Sequence, residues 1–129
     1  MGIWHIRISV IYLFIGTFLG MYMSITGNFE LSSVHTHISL LGWTTMTLAG
    51  IIYYSFPRVA QSVLCKVQFV LFNIGLPIMM IGLAFTLIGY SLIVVVSIGA
   101  TATSLAILFF TINILVGLKG ISYSKDNTE

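Results

Sequence analysis

The chain has 129 residues, of which 58% are hydrophobic and only 6% charged. A water-soluble domain carries roughly a quarter charged residues, so this composition cannot cover a water-facing surface and predicts an all-α integral membrane protein of one domain. Five basic and three acidic residues leave a formal charge of +2, too few and too scattered to bind nucleic acid, and the single Cys65 excludes an intrachain disulfide.

A bilayer core of about 30 Å needs about 20 apolar helical residues, and four stretches meet that need. The first is about 6–24, and in it Arg7 followed by an apolar run looks like a secretory signal. Its apolar run from Ile8 to Met23 is longer than a signal core and no small-x-small site closes it, so it reads as a retained helix ended by Thr26-Gly27-Asn28. The second, about 33–56, has Ser32 and Ser33 as candidate N-caps and stops at Pro57. Residues 67–118 are nearly unbroken apolar sequence, too long for one crossing, and Gly89-Tyr90-Ser91 is the best place to turn. That gives a third span at about 67–88 and a fourth at about 92–118. The single domain is thus 1–119, followed by a polar tail over 120–129.

Arg7, Arg58, Lys66, Lys119 and Lys125 all fall on one side of this four-helix bundle, which the positive-inside rule makes cytoplasmic. Both termini are then cytoplasmic, in what reads as a bacterial inner membrane. Gly16, Gly20 and Ser24 on the first helix, Gly75, Gly82 and Gly89 on the third, and Gly99, Ala102, Thr103 and Ala106 on the fourth mark close helix approach. Such ridges build a bundle or an oligomer. The small faces of helices one and three are the expected contacts of a homo-oligomer. Pro77 is expected to kink helix three, and the Asn73 and Asn113 amides to bond across helices.

The chemistry concentrates in His35-Thr36-His37, at the outer end of helix two. Imidazole is costly in lipid and is the commonest metal ligand. Two residues apart on a helix, the two rings point to nearly opposite sides and do not grip one ion together. Below His35 run Ser39, Gly42, Met46, Ala49 and Tyr53, a stripe of mostly small residues with room for a flat cofactor or another helix. Below His37 run Leu41, Thr44, Leu48, Ile51 and Ser55, which look like ordinary packing. His35 is therefore the preferred ligand. At the same depth helix one ends with Met21, Tyr22 and Met23, so Met21, Met23, His37 or a His35 from a second chain is available to a second axial position. Trp43 stands near this region, either against a porphyrin edge or as a packing or lipid-facing residue. His5, beside Trp4 and Arg7, reads as part of the interfacial belt. Glu30 with His35 and His37 is a thin candidate set for copper or zinc. No carboxylate lies within a span, and there is no phosphate loop or Ser/His/Asp set, so no catalytic residue is assigned.

His35-Thr36-His37, Leu40-Leu41-Gly42-Trp43, Gly50, Tyr53 and Pro57-Arg58 resemble a helix of the catalytic subunit of haem–copper oxidases, in the cytochrome cbb-type and nitric oxide reductase branch. The likeness covers about 24 residues. It implies that His35 is an axial ligand of a low-spin haem b, with a place but no fixed role for His37. The family's subunit has about twelve spans and at least six ligand histidines, against four spans and three histidines here. Reduction of oxygen or nitric oxide by the family mechanism is therefore not open to this chain alone. What the resemblance leaves is a small membrane haem b protein acting in electron transfer or diatomic gas binding, with quinone or a redox protein as partner. The alternatives are a non-catalytic membrane subunit or assembly factor with structural histidines, and an outer-face copper or zinc protein.

Overall fold

A computed structural model describes residues 1–119; the tail expected at 120–129, with Lys125, lies outside the described residues. All regular structure within 1–119 is helical. Helix α1 spans Gly2–Thr26. A second helical run follows as α2 (Ser32–His37), a π-helical segment (Ile38–Thr45) and α3 (Met46–Ser55). A single turn of helix, α4 (Pro57–Ala60), bridges to α5 (Val63–Leu87), and α6 (Ile93–Gly117) completes the chain. Helices α1, α5 and α6 are each 25 residues long and apolar enough to cross a membrane. Their outer surfaces are lined with large apolar side chains such as Phe14, Ile25 and Val63, compatible with an integral membrane protein.

The ends of these helices follow local chemistry, with some departures from expectation. Helix α1 begins four residues before position 6, and stops at Gly27, whose φ of 66° is the left-handed conformation that glycine tolerates. Asn28 then organises the loop, its Oδ1 accepting from the Glu30 N–H at 2.9 Å. Neither Ser32 nor Ser33 caps the second run; Leu31 holds that position without a side-chain bond, and both serines lie inside the helix. A serine cap operates instead at α5, where Ser62 Oγ accepts from the Cys65 N–H at 3.0 Å and starts the helix earlier than position 67. The expected turn stands at Gly89, with φ 105°. Gly89 therefore makes the turn and does not continue the packing ridge of Gly75 and Gly82.

The glycines knit two hairpins. In the first, α1 lies along the second run. A Cβ on Gly16 would sit 3.1 Å from Ser39 Oγ, one on Gly42 would sit 2.6 Å from the Tyr12 ring, and one on Gly50 would sit 2.9 Å from the Gly2 carbonyl. In the second hairpin Gly75 receives Ala102 and Thr103 of α6, Gly82 receives Val96, and Gly99 meets the Met79 backbone. The small faces of helices one and three are thus spent inside the chain, which corrects their assignment as oligomer contacts. The hairpins meet through bulk. Val34, Ile38 and Met46 of the second run pack with Phe72, Leu76, Met79 and Met80 of α5 and Ala106 of α6.

The π segment was not anticipated, yet it has a cause. The buried positions Val34, Ile38, Gly42 and Met46 recur every four residues. An α-helix turns about 100° per residue, so this row would drift by about 40° per step. Wider i→i+5 winding cancels the drift and keeps the row on its neighbours. The hydroxyls of Thr44 and Thr45 follow the same pitch, donating to the carbonyls of Ser39 and Leu40 five residues back. From Met46 the buried residues Ala49, Gly50 and Tyr53 return to α spacing.

Candidate functional site

Two histidine environments stand at opposite ends of the bundle, labelled outer (the end of the 27–31 loop) and inner (the end where α1 begins) after the expected topology. At the outer end, His35 is half-buried on α2 with its ring laid against α1. Its Nδ1–H donates to the Gly16 carbonyl at 2.9 Å. The ring lies over Gly20, where a Cβ would come within 2.9 Å of Cε1 and 3.4 Å of Nδ1. This bond fixes the tautomer: with the proton on Nδ1, the Nε2 lone pair remains unshared. Metal-bound histidines commonly have this arrangement, one nitrogen on iron or zinc and the other donating to a carbonyl.

His37 does not join it. Its Nδ1–H donates to the Ser33 carbonyl of its own helix at 2.7 Å, so the two rings face different acceptors as their spacing demands. The stripe below His35 is filled. Ser39 and Gly42 face Gly16 and Tyr12 of α1, and Met46 is 1% exposed in the core. Of the two occupants this stripe was expected to admit, the other helix holds the place. The His37 stripe is not internal packing: Thr44, Leu48, Ile51 and Ser55 are exposed, with Leu41 half-buried. Met23 is buried on the α1 face that carries Gly16 and Gly20, one turn beyond them, whereas Met21 is 50% exposed. Trp43 is half-buried on the π segment. Among the described residues no three His, Cys, Asp or Glu side chains are placed to hold a metal ion, so Glu30, His35 and His37 do not assemble a copper or zinc set.

The inner end carries the larger polar construction, of which only the cross-helix bonding of Asn113 was expected. His5 is fully buried and is no interfacial residue. Its Nδ1 lies 3.1 Å from the Met1 carbonyl and its Nε2 3.1 Å from Gln68 Oε1. The ring is flanked by Phe69 at 4.7 Å and Tyr53 at 5.2 Å between centroids. Next to it Asn113 joins three elements. Its amide donates to Tyr53 OH at 3.3 Å and to the Val59 carbonyl at 3.1 Å, and its Oδ1 accepts from Ser62 Oγ at 2.8 Å. Asn73, expected to act likewise, instead donates to the Phe69 carbonyl within its own helix. Ser9 adds a further cross-link, accepting from Thr47 Oγ1 at 2.8 Å. Among the described residues every buried side-chain polar atom has a partner. The signal for this cluster was present in α1, where Gly2, His5, Ser9, Gly16 and Met23 share a helical face, and in Gln68, an isolated amide in an apolar span.

The basic residues near this end, Arg7, Arg58, Lys66 and Lys119, are all exposed. Arg7 lies over the Trp4 ring at 5.2 Å. No family model, curated protein or solved structure matches the chain.

Proposed function

We propose that the chain is a four-span protein of a bacterial cytoplasmic membrane, with both termini on the cytoplasmic side, and that His35 is an axial ligand of a b-type haem. The fourth crossing is the continuous run Ser32–Ser55, which exceeds the length a bilayer needs although its winding changes midway. The observation that carries the haem reading is the unshared Nε2 of His35, aimed by the Nδ1–H bond to Gly16. The bare Gly20 backbone lets the ring lie close to α1. The donor set fits one axial position. Met23, Met21 or the histidine of a second copy would supply another. Ser39, Gly42 and Met46 are packed in the protein and would support His35 from beneath, and Trp43 is half-buried eight residues further along the same run.

A haem held there would supply one-electron transfer with quinone or a redox protein, or an open position for a diatomic gas. The chain's own part is to fix the imidazole tautomer and to exclude water from one side of it. Purified protein should carry iron and porphyrin and show a Soret band that His35→Ala removes. Protein that stays colourless when made with excess haem overturns this reading.

A second reading rests on a different observation. The small-residue stripe below His35 holds α1, so the imidazole serves as a clasp within the first hairpin and the protein is a non-catalytic membrane subunit or assembly factor. Co-purification with a larger complex and no bound metal are its signature. Metal and porphyrin analysis of one preparation separates the two.

A further inference from the structure

His5 presents a hydrogen-bonding conflict that its surroundings resolve in an informative way. Each ring nitrogen lies 3.1 Å from an oxygen, Met1 O for Nδ1 and Gln68 Oε1 for Nε2. A neutral imidazole has one N–H and can donate to only one of them, whereas an imidazolium donates to both. A primary amide removes the conflict. Turned by half a rotation about its last bond, Gln68 presents its NH₂ where Oε1 stood, and Nε2 of the ring becomes the acceptor. The same pair therefore satisfies either charge state without moving a helix. Gln68 also lines a small cavity of about 20 Å³ with Thr45, Met46, Ala49, Phe72 and Phe110, which leaves the amide room to turn.

The geometry points to a single-proton binding site: His5 takes up or releases a proton at Nε2 while keeping its place between the hairpins, and the Gln68 amide turns over to match. Among the described residues the charged and titratable groups around the ring are few. From α1 there is the amino terminus of Met1. From α3 there is Tyr53, whose hydroxyl accepts from Asn113. From α5 there is Cys65, buried about one turn before Gln68, while Asn113 and Phe110 of α6 carry no charge. Arg7 and Lys66 point outward and are exposed, and the described carboxylate, Glu30, lies in the opposite loop. Among the described residues no carboxylate at this end competes with Gln68 for the ring. The site does not depend on whether His35 binds iron.

The test is a titration of the full chain in lipid bilayer discs, with nitrogen-15 NMR of the His5 ring and the Gln68 side-chain amide between about pH 4 and about pH 9. Both signals should change together with one midpoint, and His5→Phe should abolish the pH response of the Gln68 amide. The proposal is overturned if the Gln68 amide stays fixed while His5 titrates, or if His5 does not change protonation over that range. Should His5→Phe not fold, Gln68→Glu decides. An ionised carboxylate only accepts, so both ring nitrogens should be protonated at neutral pH, and a single-proton tautomer there sinks the idea.

Discussion

His5 and His35 are both imidazoles lodged between helices, yet they make opposite use of their nitrogens. His5 is sealed, with both nitrogens engaged and aromatic rings on either side. His35 is half-buried, with one nitrogen tied to a backbone carbonyl and the other unshared. Burial and reactive availability therefore run in opposite directions. The inner histidine belongs to the machinery that holds the bundle together, and the outer one has a lone pair to offer. Where a histidine falls along a span does not by itself distinguish these roles; what each nitrogen touches does.

The contrast can be broken most forcefully at the inner end. Asn113→Leu should cost the most, about 3 kcal/mol, because it leaves the Val59 carbonyl and the Tyr53 and Ser62 hydroxyls without their partner. Reversible unfolding in mixed micelles measures it, and absorbance at the outer end should not change. Gly42→Leu should follow at about 2 kcal/mol, since its side chain would drive Tyr12 and α1 off the π segment. His35→Ala should cost only about 1 kcal/mol, the worth of one interhelical bond in a membrane, and on the proposed haem reading it should also remove the Soret absorbance. If it destabilises the protein more than Asn113→Leu, the division of labour between the two ends is wrong. Gly20→Ala sharpens the comparison further. Its methyl would press on His35 Cε1, so stability should fall by less than about 1 kcal/mol, and on the proposed haem reading the spectrum should shift. His37→Ala should be nearly silent, within about 0.5 kcal/mol and without spectral change, because its ring bonds only its own helix.

The architecture was readable where composition and turn chemistry act alone. The apolar stretches, the break at Gly27 and the turn at Gly89 follow from hydropathy and from residues that tolerate positive φ. The opposite orientation of His35 and His37 followed from helical angle. Three features resisted. The occupant of the small-residue stripe is a tertiary fact, since a groove that fits a cofactor also fits a glycine-bearing helix such as α1. The depth of His5 depends on α1 starting at Gly2, which places a residue expected at the interface inside the bundle beside Gln68. The fate of the two asparagines could not be separated from sequence either. Asn113 faces the inter-helix junction and Asn73 does not, and only packing decides that.

The winding of residues 38–45 makes the aim of His35 a matter of chain length. Tightened to ordinary α pitch, this segment would swing everything above it by about a third of a turn relative to Met46, carrying the imidazole off the Gly16 carbonyl. Removing or adding one residue there would therefore re-point the outer end while leaving the asparagine-centred knot at the far end untouched. The few peptide units from Ile38 to Thr45 act as the dial that sets which way the ring looks.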